Sequence, residues 1–212
     1  MENGKHGEIS STLGGPSNGR LGLAALGAIT GGSLLAISNI WQGYLEVTPG
    51  NDGIPQDVTH YVYYLNDTML FVAMCGLLLG LHGLNNRVTV TKAGFMWRTG
   101  VFLSGLGQGI FAIVALAFIL HGFFDFKSFM DLVHLVAGIS IIVMYLGALP
   151  LGLVLHRRKE LPQTAAILFL LTVPMVAVSL IFIYSINALV SGLLSGGLYG
   201  LAWIITGFYL KK

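Results

Sequence analysis

The 212-residue chain is 55% hydrophobic and only 9% charged, whereas about a quarter of the residues in an ordinary soluble domain carry charge. So few charges cannot cover a water-facing surface, and the mean hydropathy of +0.79 comes from apolar blocks long enough to cross a bilayer. The net charge of +2 includes no basic run that suits nucleic acid, and a single cysteine, Cys75, excludes an intramolecular disulfide.

Residues 1–20 are polar and rich in Gly and Ser, a composition that cannot bury enough apolar area to order itself, and a disordered cytoplasmic tail is expected there. Behind Arg20, Ala36-Ile37-Ser38 offers small residues at the spacing of a signal-peptide cleavage site. The block is nevertheless expected to be kept as the first span. The transmembrane domain then occupies residues 21–212, with spans at about 21–41, 61–84, 97–121, 132–155, 164–184 and 188–210. Each is long enough to cross about 30 Å of hydrocarbon at about 1.5 Å per residue.

Between the first two spans, residues 42–60 hold Thr48-Pro49-Gly50-Asn51-Asp52-Gly53-Ile54-Pro55, a dense set of turn formers expected to make the largest outer loop. The second span places His60, Tyr64 and Asp67 at i, i+4 and i+7, so that imidazole, phenol and carboxylate form one column on a helical face. Asp67 is the sole acid inside an expected span, roughly 8 Å below the outer boundary, and an ionisable group at that depth needs a partner or water. His121 closes the third span, and Asp131 and His134 open the fourth at i, i+3.

Pro150 in the fourth span and Pro174 in the fifth each remove a backbone donor, and kinks are expected at both. The apolar run across spans five and six is nearly continuous and far exceeds one bilayer crossing. A tight helical hairpin centred on Tyr184 to Asn187 resolves it. GxxxG spacing occurs at Gly27/Gly31, Gly76/Gly80, Gly105/Gly109, Gly192/Gly196 and Gly196/Gly200. With 29 glycines in the chain about four such pairs arise by chance, so the pattern indicates close packing within the bundle only weakly.

Lysine and arginine placement orients the bundle. Lys5, Arg20, Arg87, Lys92, Arg98, Arg157, Arg158, Lys159, Lys211 and Lys212 fall on one side of a six-span arrangement and Lys127 alone on the other. Basic residues near span ends stay on the cytoplasmic side, so the fold class is an all-α polytopic transmembrane helical bundle with six spans, N-in and C-in. The outer side collects Glu46, Asp52, Asp57, Asp125 and Asp131 together with aromatics.

If spans two, three and four meet, His60, Tyr64, Asp67, His121, Asp131 and His134 form an outer pocket whose imidazole and carboxylate donors suit a metal ion. None of their spacings is a zinc signature. Two imidazoles on different spans would also suit a b-type haem, but spans five and six contain no histidine to complete the set.

The Pro49-Gly50 loop, Asn66 near the start of span two and His134 opening span four give the chain a layout that resembles uncharacterised six-span bacterial membrane proteins of the Sfk and DRAM-like group. That resemblance implies architecture and brings no catalytic residue. Three functions fit the chemistry. The first is a non-enzymatic accessory or scaffold subunit that meets a membrane-protein partner or the lipid bilayer through its outer face. The second is a small-solute or lipid transporter built on the kinked spans, and the third a metal-dependent hydrolase working in the outer pocket. The charge pattern points to a prokaryotic plasma membrane.

Overall fold

The computed structural model describes residues 18–48, 61–88, 94–121, 127–159, 162–181 and 187–212. These form six helices: α1 (Asn18–Val47), α2 (Tyr61–Arg87), α3 (Gly94–His121), α4 (Lys127–Arg158), α5 (Gln163–Ile181) and α6 (Ala188–Leu210). Five are long and apolar enough to cross a membrane, and α5 is a shorter apolar helix. The expected disordered tail, except for its last residues, and the loop over residues 182–186 lie outside the described residues.

Chain order is spatial order. Each helix packs on the next, and α6 returns to α1, which closes the six into a ring. Successive helices run antiparallel. Trp97 at the start of α3 donates to Asn85 near the end of α2 at 3.0 Å, and Arg87 donates to the Tyr209 carbonyl of α6 at 2.8 Å with its guanidinium 4.3 Å from that tyrosine ring. These contacts gather Arg87, Arg98, Arg157, Arg158, Lys159, Lys211 and Lys212 at one end of the bundle, the basic end. Glu46, Asp131 and His121 mark the other, acidic end.

Around the outside, Leu23, Leu26, Phe102, Ile113, Leu135, Ile142 and Phe208 stand exposed on four of the helices. A soluble monomer rarely exposes contiguous apolar surface of this extent, whereas lipid accommodates it. The chain is a multi-pass integral membrane protein.

Small residues set how closely the helices approach. A Cβ on Gly31 of α1 would lie 2.7 Å from the Ala73 carbonyl oxygen of α2, and one on Gly107 of α3 would lie 2.6 Å from the Ser140 carbonyl oxygen of α4. Glycine thus brings backbones together where lipid supplies no hydrophobic drive for helix association. The expected GxxxG pairs divide on this test. Gly27/Gly31 and Gly76/Gly80 line the α1–α2 seam, whereas Gly109 has nothing within 4 Å of its would-be Cβ.

Hydroxyls inside the bundle are largely satisfied by their own helices. The buried Thr172 and Thr206, and Thr30 on the exposed face of α1, each bond the carbonyl four residues back at 2.8 Å, which spares these donors from facing lipid bare.

Several boundaries differ from expectation. Residues 42–47, expected in the outer loop, continue α1 through Val47, because Gly43 is held against the backbone of Ala188 and Leu189 and the cluster of turn formers begins only at Thr48 and Pro49. At the other side of the ring α4 starts at Lys127, so Asp131 is helical and Asp67 is not alone among acids in a helix. Both α4 and α5 run unbroken through Pro150 and Pro174. Only Asn187 of the expected hairpin is described; its side chain caps α6 by accepting from the Leu189 amide at 2.9 Å.

Within α6, residues Leu193–Gly197 form a π-helical turn. It lies where Gly196 meets the Asn39 side chain of α1. An extra residue in one turn re-aims the helix around that amide.

Candidate ligand pocket

At the acidic half of the bundle a cavity of about 440 Å³ opens among α1, α2, α3 and α4. Its polar wall is Gln42, Tyr63, Asn66, Asp67, His121 and His134, and its apolar wall includes Leu70, Phe111, Phe118, Ala137 and Ile141. On α4, Met130, His134, Ala137 and Ile141 recur at helical spacing, so one face of that helix supplies a whole side of the cavity.

Three bonds frame it. Ser38 of α1 donates to Asn66 of α2 across 2.6 Å, in a buried contact that joins the two helices. The Tyr63 hydroxyl donates to the Phe118 carbonyl oxygen at 3.0 Å and joins α2 to α3. The His134 ring lies 4.9 Å from the Phe118 ring, and its Nδ1 is 2.7 Å from the Met130 carbonyl oxygen. A carbonyl only accepts, so Nδ1–H donates to it, and Nε2 is the ring nitrogen left to meet a ligand.

Like Ser104, Gln108, Ser179 and Trp203 elsewhere in the bundle, Asp67 departs from this satisfaction. The residue is 7% exposed, and its buried Oδ2 has no hydrogen-bond partner among the described residues. Leaving a buried polar atom unpaired costs about 1–3 kcal/mol, so such a group calls for a specific account.

Beneath the cavity the bundle is solid. One turn toward the basic end lie Met74, Gln108, Met144, Tyr145 and Tyr199, all buried. Gln108 donates to the Tyr199 hydroxyl at 3.0 Å, while Tyr145, Phe169 and Trp203 each pack edge-on against Tyr199 and Phe169 also against Trp203. Leu151, Leu155, Ala165 and Ala166, around and below Pro150, are 0% exposed. The pocket ends on this plug.

Of the residues singled out from sequence, Asp67, His121 and His134 line the one cavity. Tyr64 does not. It meets Tyr63 edge-on at 5.5 Å. Asp131 is exposed and stands off the pocket-lining face of α4. His60 lies outside the described residues. Pro150 and Pro174 are absent from the pocket wall.

Among the described residues no group of three or more His, Cys, Asp or Glu is arranged to hold a metal ion. Among the described residues no Ser, Thr or Cys lines the cavity as a nucleophile.

Comparison with protein-family models, curated proteins and solved structures finds no match to this chain. The likeness to the Sfk and DRAM-like group therefore stands on the sequence features alone.

Sequence reasoning overlooked Gln42, Tyr63, Asn66 and Phe118. Gln42 was assigned to a loop. Asn66 did carry a usable signal, since an amide beside an acid in an apolar span needs a partner on a neighbouring helix. The same signal attaches to Gln108, midway along α3.

Proposed function

We propose that this integral membrane protein is a non-enzymatic accessory subunit that holds a small amphipathic ligand in the pocket at its acidic end. The observation that carries the reading is the buried Asp67, whose Oδ2 has no partner among the described residues, on the wall of a cavity with one polar and one apolar side. Ligand sites combine a mostly apolar lining with a few placed polar groups, and about 440 Å³ lies within their usual range.

Segregation of Lys and Arg favours a cytoplasmic basic end, so the pocket faces outward. A prokaryotic plasma membrane is the simplest setting for that arrangement.

Transport is the weaker reading. It calls for a route to the opposite side, and the buried layer from Gln108 and Tyr199 down to Leu155 and Ala165 supports a blind pocket instead. Hydrolysis is weaker still, with neither a nucleophile on the wall nor a ligand set for a metal among the described residues.

Native mass spectrometry of the protein released from its own membrane tests the proposal. A co-purifying small molecule is expected on the wild type and absent from Ala137→Trp, in which an indole fills the cavity. Equal recovery from both would overturn it.

A further inference from the structure

Given the binding role just proposed, the polar groups of the pocket also define its ligand. We infer that the pocket selects a protonated primary amine carrying an apolar chain, either the amino headgroup of a membrane lipid or a free alkylamine.

The argument is an inventory of donors and acceptors. Asp67 offers a buried oxygen with no partner. His134 commits Nδ1–H to the Met130 carbonyl, which leaves Nε2 to accept. Gln42 directs its amide nitrogen at Glu46, 3.4 Å away, and keeps its own carbonyl oxygen. The Tyr63 hydroxyl spends its proton on Phe118.

Against these acceptors the wall sets few donors: the amide nitrogen of Asn66, whose oxygen is already taken by Ser38, the second N–H of the Gln42 amide, and the ring of His121. Among the described residues no lysine or arginine lines the cavity. The ligand that complements this wall brings N–H donors and positive charge.

The aromatic rings agree. Tyr63, Phe111 and Phe118 all line the same cavity, and the faces of such rings attract an organic cation. Rings alone do not separate a primary amine from a quaternary one. The acceptors do, because a trimethylammonium group has no N–H to give to Asp67 or His134. Leu70, Ala137 and Ile141 then lie along the methylenes that follow the amine.

The experiment uses the full chain purified in detergent and calorimetric titration with three probes of equal chain length: octylamine, octyltrimethylammonium and octanol. Octylamine is expected to bind at least tenfold more tightly than either of the others. Asp67→Asn is expected to weaken octylamine at least tenfold and His134→Phe, which keeps the ring on Phe118, severalfold.

Binding of octanol or octyltrimethylammonium as tight as that of octylamine overturns the amine inference while leaving the pocket reading in place. No binding of any of the three overturns both. Should Asp67→Asn fail to elute as the wild type does, the three-probe comparison on wild type decides alone.

A second arm separates the sources. After exchange with vesicles of equal phosphatidylethanolamine and phosphatidylcholine, native mass spectra showing selective retention of the ethanolamine lipid assign the amine to a headgroup. Octylamine binding without such retention assigns it to a free amine.

Discussion

Gly27 of α1 and Gly76 of α2 face each other without a side chain between them. A Cβ on Gly27 would lie 2.8 Å from the Gly76 carbonyl oxygen, and one on Gly76 would lie 2.7 Å from that of Gly27. Neither backbone can yield cheaply, so Gly76→Ala is expected to destabilise the bundle by about 1–3 kcal/mol. Gly109→Ala has open space and is expected to be neutral or to gain up to about 1 kcal/mol from helix propensity. Unfolding by SDS titration compares them, and equal effects would refute the assignment of the α1–α2 seam.

The Ser38–Asn66 bond is buried and joins two helices. In membrane bundles such bonds average about 0.6 kcal/mol with a ceiling near 1.7. A double-mutant cycle on Ser38→Ala and Asn66→Ala should return a coupling within that range, and zero coupling would remove this bond from the frame of the pocket.

Asp67 is expected to oppose stability while serving binding. Its unpaired oxygen costs about 1–3 kcal/mol, so Asp67→Leu in ligand-free protein should unfold at the same temperature as wild type or a higher one. A marked drop in thermal midpoint would mean that the carboxylate holds the fold together.

Orientation is checked by labelling from outside. In a Cys75→Ala background, Asp131→Cys is expected to react with a membrane-impermeant maleimide on intact cells. Lys212→Cys should react only after lysis. Both positions are exposed and lie at opposite ends of the bundle. The reverse pattern would place the pocket on the cytoplasmic side.

The six-helix layout was legible because apolar blocks and basic flanks are one-dimensional signals. Arg87, Arg98 and Arg157 mark helix ends whichever helices are neighbours. The end of α1 was less legible, since Gln42 to Glu46 are interfacial residues that suit a helix or a loop equally well. Asp67 could be singled out by its depth alone. Its wall could not, because which of His121, Asp131 and His134 face inward depends on the rotation of α3 and α4 about their axes. Phe118 and Ser140 set that rotation: one packs beneath His134, and the other presents its carbonyl to Gly107. Gly105 and Gly109 illustrate the converse, a motif spacing in which one glycine meets only the Leu81 side chain and the other nothing.

The return of α6 to α1 has a consequence for how the protein is made. Gly32 approaches the backbone of Gly200, Gly43 approaches Ala188 and Leu189, and Asn39 lies over Gly196. Membrane spans are delivered in order from the ribosome, so this flank of α1 has only lipid beside it until α6 arrives. The helix that enters the bilayer first is the last to acquire both its neighbours, and a nascent chain halted before residue 188 would leave the Asn39 amide facing hydrocarbon.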